Sequence, residues 1–254
     1  MKDYVNRNEE ILKEWRENNK DKYGEKKFAY DGIMYRGKNY DCERSSNKEI
    51  ENKLWNEARL RILFITKDQP AGDADAWDVR GELGDLSYAF FRNLMYQLYG
   101  LHNTTSKHKA DYTFTNEEAE ELYSKSAIAR INVKKEAGTN SLPNYILRKY
   151  LERDGEFLKE QIENLDADII VCCGYSDSVE DTGNLILNFL IKVCKYKFKR
   201  YNDWIYYDKD KKKIAINNWH LSVRKSSEDM YNSLTDAYYQ FLKEYPNFIK
   251  SHRD

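Results

Sequence analysis

Polar groups able to do chemistry follow four apolar runs of the sequence, each at the point where the run ends. Asp68 comes shortly after RILFIT, Asn132 closes AIARIN, Gly174 ends DADIIVCCG, and His220 follows KIAINNW. A carboxylate can stabilise a developing positive charge or position water, and an imidazole can donate a proton or a hydrogen bond. An acid, an amide, a tight turn and an imidazole therefore indicate a candidate site, provided that the fold brings these positions together.

The apolar runs have the length and composition of buried β-strands, and amphipathic helical segments separate them. Helices are predicted over 8–19, 45–60, 86–100, 145–165, 184–194 and 227–243. Strands that alternate with helices predict an α/β fold, here a three-layer sandwich whose mostly parallel central sheet is flanked by helices. Ligands of such sheets bind beyond the carboxyl ends of the strands, so the polar positions are predicted to share one edge.

Two β-hairpins are predicted in addition. KFAYDGIMYRG (27–37) holds an Asp31-Gly32 turn between two short apolar runs. DWIYYDKDKKKIAINNWHLS (203–222) reads as a hairpin with a basic tip, and its second strand delivers His220.

The order of these motifs resembles the uracil-DNA glycosylase superfamily. That family has a strand ending in a Gly-Gln-Asp-Pro-Tyr or Gly-Glu-x-Pro-Gly loop, a strand ending in Asn, an apolar strand ending in Gly, and a last strand ending in His-Pro-Ser. Here the succession is ILFITKDQPAG, AIARINVKKEAG, EFLKEQIENLDADIIVCCG and INNWHLSVRK, with Leu221 in place of the last proline. The resemblance implies a uracil-DNA glycosylase-like domain over 61–254, with an N-terminal helical and hairpin extension, 1–60, packed on it.

The resemblance also implies roles for individual residues. Cleavage of an N-glycosidic bond needs an anion near the sugar, a donor for the leaving base and a group that reads the flipped base. By motif matching these are Asp68, His220 and Asn132. Further substrate contacts are expected from residues in or near the first loop: Lys67, Gln69, Trp77 and Tyr88. Structural alternatives remain, because a carboxylate can cap a loop, an amide can bond backbone groups, a histidine can be merely exposed, and aromatic rings usually fill a core.

Contacts to the nucleic-acid backbone are expected after His220, from Ser222, Arg224 and Lys225. Residues 192–225 carry eleven Lys/Arg and three Asp/Glu, in a chain whose net charge is only −1. The basic stretches KYKFKR, KDKKK and VRKS therefore predict a basic surface, although KDKKK can equally be a solvated hairpin tip. Leu221 can either wedge a base stack open or pack beneath the last helix.

The composition limits which class of protein this chain can be. Of 254 residues, 33% are charged and 41% hydrophobic, which is typical of a soluble globular protein. The N-terminal residues show no apolar signal segment and no apolar stretch approaches the roughly 20 residues of a spanning helix, so a cytoplasmic protein without membrane contact is expected. The four cysteines form no CxxC pair, which predicts buried free thiols rather than disulfides or a metal site. The cysteines that hold an iron–sulfur cluster in some branches of the uracil-DNA glycosylase superfamily have no counterpart here, so the resemblance implies no cluster and no other cofactor.

The sequence therefore predicts a monomeric DNA N-glycosylase that hydrolyses a flipped uracil or modified base from single- or double-stranded DNA. The alternative is a catalytically inactive module of the same fold that binds a nucleic acid or a nucleotide. A third possibility is a hydrolase of a small nucleoside or nucleotide, which needs a pocket but no basic track.

Overall fold

The computed structural model describes residues 1–20, 28–34, 48–68, 77–81, 84–136, 142–177 and 182–249. Its helices are α1 (Tyr4–Asn18), α2 (Lys48–Asn56), α3 (Ala89–Asn103), α4 (Asn116–Lys125), α5 (Asn144–Leu165), α6 (Leu185–Lys192) and α7 (Ser227–Glu244). Its strands are β1 (Ala29–Tyr30), β2 (Gly32–Ile33), β3 (Ile62–Thr66), β4 (Trp77–Asp78), β5 (Ile128–Asn132), β6 (Ile169–Ser176), β7 (Gly183–Asn184), β8 (Lys199–Arg200), β9 (Ile205–Asp208) and β10 (Lys213–Trp219).

The central sheet has the strand order β2-β5-β3-β6-β10-β9-β8. The four middle strands β5, β3, β6 and β10 run parallel, while β2, β9 and β8 join antiparallel at the two sides and β7 pairs with the end of β6. This confirms the predicted α/β class with a mostly parallel sheet. The parallel strands are also the four apolar runs of the sequence, so their carboxyl ends share one edge.

Helices cover both faces of the sheet, which explains why the middle strands are mostly apolar, with polar side chains such as Arg130 and Asn218 towards their carboxyl ends. All five residues of β3 are buried. One face packs against α1, α5 and α6, with Leu12, Leu158 and Leu190 in its core. The other face packs against α3 and α7, with Leu98 and Leu234 in its core.

The helix α4 is absent from the sequence-based prediction although its start carries a recognisable signal. Thr115 and Glu118 form a capping box, in which Glu118 N donates to Thr115 Oγ1 (3.2 Å) and Thr115 N donates to Glu118 Oε2 (2.7 Å). The Thr-x-x-Glu spacing is the usual signature of this motif. The remaining predicted helices are found, with their ends shifted by a few residues.

The predicted hairpin over 27–37 is wrong. Instead, β1 pairs in parallel with β4, and β2 pairs antiparallel with β5 at the side of the central sheet. Asp31 lies between them, and its fully buried carboxylate accepts from Lys135 Nζ (2.6 and 2.7 Å). A buried ion pair, rather than a solvated turn, therefore fixes the chain at this point.

Three of the four cysteines, Cys172, Cys173 and Cys194, lie in the described residues, and all three are free and buried. Burial raises the pKa of Cys173 and Cys194 to about 12. These thiols are therefore protonated packing groups, as predicted. Over the same described residues, no helix is both long and apolar enough to cross a membrane.

Candidate functional site

The predicted catalytic and base-reading residues Asp68, Asn132 and His220 lie at the carboxyl edge of the central sheet. Asn132 is the last residue of β5 and stands beside Thr66, the last residue of β3, in the pairing register. His220 follows β10, which is separated from β3 by β6 alone. Since neighbouring strands are about 5 Å apart, the ends of β3 and β10 are separated by about 10 Å.

The side chains before these positions show which face of the sheet they occupy. Arg130, two residues before Asn132, lies over the ring of Phe90 in α3 at 5.3 Å. Asn218, two residues before His220, donates to Gln97 Oε1 of the same helix (2.7 Å). Because side chains two apart in a strand point to the same face, Asn132 lies on the α3 side. His220 follows the end of β10 and lies on the same side, with its ring centroid 6.3 Å from that of Phe90 in α3.

His220 is a half-buried imidazole with a defined tautomer. The backbone N–H of Ser222 donates to His220 Nδ1 (3.3 Å), so Nδ1 is an acceptor and the proton of the neutral ring is on Nε2. Burial, together with the nearby charge of Lys67, lowers the pKa of His220 to about 4. At neutral pH the side chain is therefore an uncharged hydrogen-bond donor.

Asn132 is buried and presents an amide donor. Its carbonyl oxygen accepts from the Thr66 hydroxyl (2.5 Å), and its backbone N–H donates to Asp31 Oδ2 (2.8 Å). Its Nδ2 is buried and has no hydrogen-bond partner among the described residues. A buried donor without a partner is costly, so this amide is a candidate for contact with a ligand.

Asp68 follows β3 by two residues and is half-buried. Its Oδ2 is buried and finds no hydrogen-bond partner in the part of the chain that the structure describes. Burial raises the pKa of Asp68, while the charges of Lys134 and Lys67 oppose that rise. The charges of the two lysines thus favour the ionised form of the Asp68 carboxylate.

Lys67 interacts with residues on several elements of the site. Its Nζ donates to Asn144 Oδ1 at the start of α5 (2.9 Å), and its charge acts on both Asp68 and His220. Its backbone oxygen accepts from Lys134 N (2.9 Å), which ties the segment after β3 to the segment after β5. The carboxylate and the imidazole are therefore held within electrostatic reach of one cation.

Phe90, in the first turn of α3, is a site residue that the sequence reasoning missed. Its ring centroid lies 6.3 Å from that of His220, and the ring is half-buried. The sequence reasoning placed the stacking ring at Tyr88 or Trp77. The helical pattern of 86–100 offered a signal, because Phe90 stands one turn before the core residues Leu94 and Asn93.

The other predicted substrate contacts are not brought to the site in the same way. Tyr88 caps the start of α3 and is 65% exposed. Trp77 belongs to β4, whose backbone pairs with β1 in a separate two-stranded sheet. Gln69 lies outside the described residues.

The segment after His220 folds back on itself as a short turn. Val223 N donates to His220 O (2.9 Å), while Leu221 is fully buried and its oxygen accepts from Asn93 Nδ2 (2.6 Å). Leu221 thus packs beneath α7, and the wedge alternative does not describe it. The polar side chains of Ser222, Arg224 and Lys225 are exposed on the outside of this turn.

The basic stretches do not form one surface beside His220. KDKKK is the tip of the β9–β10 hairpin, at the amino end of β10 and so at the opposite edge of the sheet. Two of the neighbouring cations are paired, Lys197 with Asp210 (3.0 Å) and Lys213 with Asp166 (2.7 Å). The solvated hairpin tip is therefore the correct alternative, and the cations near His220 are Lys67, Arg224 and Lys225.

A buried polar cluster stands behind Asn132. Asp31 accepts from Lys135 Nζ, from Gln161 Nε2 (2.8 Å) and from Asn132 N. Gln161 Nε2 also donates to Asn8 Oδ1 (3.0 Å), so α1, α5 and the end of β5 are joined through side chains. The segment before β3 therefore helps to hold the strand end that carries Asn132.

No protein-family model matches the chain, and no curated protein matches it either. Among the described residues, no group of three or more His, Cys, Asp and Glu side chains is arranged to hold a metal ion.

Proposed function

We propose that the chain is a DNA N-glycosylase of the uracil-DNA glycosylase type, which hydrolyses the bond between a flipped base and its sugar. The observation that carries this proposal is that the carboxylate of Asp68 and a neutral His220, whose proton is on Nε2, lie at the same edge of the sheet. The order of motifs along the sequence supports it further. The four strands that carry those motifs are neighbours in the sheet.

Each residue has a step that suits its chemistry. As the glycosidic bond breaks, positive charge grows on the sugar and negative charge grows on the base. The carboxylate of Asp68 stabilises the first charge and orients the water that attacks the sugar carbon. His220 Nε2–H donates to an oxygen of the leaving base, and the Asn132 amide donates to another acceptor on that base. Phe90 offers a ring face for stacking.

The test is cleavage of oligonucleotides that contain uracil or another modified base, single-stranded and double-stranded, followed by heating in alkali. Alkali converts each abasic site into a strand break. We expect breaks with the wild type, and a loss of on the order of 100-fold in Asp68→Asn and in His220→Ala. The exposed residues Asp111 and His108 provide matched controls as Asp111→Asn and His108→Ala.

Two outcomes would contradict the proposal, the first its activity and the second its site residues. If no modified base yields breaks but the oligonucleotides still bind in a gel-shift assay, the chain is the binding module rather than the enzyme. If both site variants keep full activity, Asp68 and His220 are not the residues responsible.

The position of KDKKK favours a second candidate function, the hydrolysis of a small nucleoside or nucleotide. This substrate needs no basic track, and the hairpin tip lies at the edge of the sheet opposite His220. Release of a free base from a nucleoside, without release from any oligonucleotide, would identify it.

A further inference from the structure

A second cavity, of about 560 Å³, lies beyond the carboxyl ends of β6 and β10 on the α6 side of the sheet. It is distinct from the site at Asp68, because Phe90 and His220 face α3 on the other side. Its volume falls in the range of small-molecule sites, and ligands of open α/β sheets bind at this edge. Neither the sequence motifs nor the proposed glycosylase reaction uses it.

Four half-buried aromatic side chains line this cavity: Tyr175, Trp204, Tyr206 and Trp219. Tyr175 and Trp219 meet edge to face, with ring centroids 4.6 Å apart. Trp204 and Tyr206 also pack against the two cores, and Lys225 Nζ lies over the Trp219 ring, 4.3 Å from its centroid, but all four side chains keep part of their surface exposed. Such a group of rings is suited to stacking on a planar ligand.

The wall between these rings is preformed by side-chain hydrogen bonds. Asn184 Nδ2 donates to Asn217 Oδ1 (3.0 Å), and Asn217 Nδ2 donates to Asp203 O (3.0 Å). Asn184 Oδ1 also accepts from the backbone of α6, at Ile186 N (3.1 Å) and Leu187 N (3.2 Å). The cavity therefore does not need to be ordered by its ligand, which lowers the entropic cost of binding.

The polar groups at the rim of the cavity determine which ligand charge is favoured. Arg200 forms an ion pair with Asp203, so the two lining charges cancel each other. The amide of Asn188 completes the rim from the exposed side of α6. Guanidinium, carboxylate and amide groups together offer donors and acceptors to the edge of a ring. One further cation stands beside the cavity, because Lys225 Nζ lies 4.3 Å from the centroid of the Trp219 ring.

We propose that this cavity binds one uncharged planar heteroaromatic ring of the nucleobase type, held by stacking and by contacts at its polar edge. The ring is the recognised part, and a sugar is accommodated at the rim. This site and its ligand are independent of whether the chain cleaves a glycosidic bond.

The test is calorimetric titration of the full chain with adenosine, uridine and ribose 5-phosphate. We expect the nucleosides to bind with a Kd of about 0.1–1 mM and ribose 5-phosphate not to bind, since the phosphate is not the recognised group. Asn188→Trp places a large ring at the rim from an exposed helical position and should weaken nucleoside binding at least about tenfold. Glu120→Trp adds the same ring at an exposed position of α4 that does not line the cavity, so it is the matched control, and binding should stay within about threefold of the wild type.

Trp204→Leu provides a second variant, because it removes a stacking surface instead of blocking the rim, and it should weaken binding by a similar factor. Absence of nucleoside binding, or tighter binding of ribose 5-phosphate than of the nucleosides, would overturn the proposal. So would binding that persists in both Asn188→Trp and Trp204→Leu but is lost in His220→Ala, since the ring would then occupy the site at Asp68.

Discussion

At His220 a single backbone hydrogen bond determines which ring nitrogen carries the proton. The donor is Ser222 N, and the tight turn after β10 brings it to Nδ1. Lys67 and burial then keep the ring neutral by lowering its pKa to about 4. These effects act together, because a charged imidazole would lose the acceptor on which the Ser222 bond depends.

The pH dependence of cleavage tests the assignment of the two ionisable groups. Asp68 acts as an anion, and burial raises its pKa above the ordinary 3.8, so activity should fall at acid pH with a midpoint above 3.8. His220 is neutral throughout the range above about pH 4, so it should add no change near pH 6.5. The measurement is kcat/KM against pH on a single-stranded substrate. An activity that requires protonation with a midpoint near 6.5 would contradict the neutral donor.

The pH dependence of stability tests the same histidine without any substrate. The folded pKa of His220 is about 4 and the ordinary value is 6.5, so the unfolded chain takes up a proton first as the pH falls. The resulting stabilisation is complete above pH 6.5 and is lost as the pH falls from there towards 4. Between pH 7.5 and pH 5, His220→Gln should therefore lose about 1–2 kcal/mol less free energy of unfolding than the wild type. Urea unfolding of both proteins at pH 7.5 and pH 5 measures these free energies. Equal losses in the wild type and in His220→Gln would contradict the lowered pKa of His220.

Among the elements, the turn after β10 is anchored by Leu221. The side chain is fully buried in the core that α3 and α7 share, although Ser222 and Arg224 of the same turn are exposed. We expect Leu221→Ala to lower the free energy of unfolding by about 2–4 kcal/mol, because it removes buried methyl groups and leaves a cavity. Ser222→Ala, one residue along, should change it by less than about 0.5 kcal/mol. Denaturant titration of both variants decides the matter, and a Leu221→Ala protein as stable as wild type would show that the side chain is not packed.

The sequence predicted those elements whose own residues contain the signal. Continuous apolar runs predicted β3, β5, β6 and β10, because strands covered on both faces are mostly apolar. The hairpin at Asp31 failed, since two-residue strands are defined by partners elsewhere in the chain and not by their own residues. Its aspartate looked like a turn residue, whereas the fold uses it as a buried partner for Lys135.

The same distinction holds at the candidate site, between what a residue's own sequence neighbours indicate and what only the fold determines. The positions of Asp68, Asn132 and His220 at the carboxyl edge of the sheet were predictable, because each follows an apolar run, while their roles stay predictions. Phe90 was not predictable, because its contact with His220 depends on how α3 crosses the sheet. The position of KDKKK followed from the predicted hairpin, whose tip lies at the end of β10 opposite His220.

At the scale of the whole molecule, the cluster at Asp31 joins the N-terminal segment to the sheet edge. Lys135 and Asp31 are both fully buried, and Lys135 also lies 4.7 Å from the ring of Trp15 in α1. Desolvation lowers the pKa of Lys135, and the charge of Asp31 opposes that change. The strand end at Asn132 therefore depends on residues more than a hundred positions earlier in the chain.

A double-mutant cycle tests this connection. Asp31→Asn leaves a buried ammonium without its counter-charge and should lower the free energy of unfolding by about 3–5 kcal/mol. Adding Lys135→Met should restore at least about 2 kcal/mol of that loss, because the stranded charge is removed. Asp210→Asn, which breaks the exposed pair with Lys197, is the control and should cost less than about 1 kcal/mol. Additive effects of the two buried substitutions would contradict a direct pair.

The most direct test of the proposed reaction is to measure release of the free base together with incorporation of oxygen from water into the abasic sugar. Uracil-containing DNA is incubated with the protein in ¹⁸O-labelled water, and the free base and the abasic sugar are measured by mass spectrometry. Hydrolysis by Asp68 and His220 predicts one free base for each labelled sugar hydroxyl, with on the order of 100-fold less of both in Asp68→Asn and His220→Ala and no loss in Asp111→Asn. Absence of free base from every substrate, or equal release by the wild type and both site variants, would contradict it.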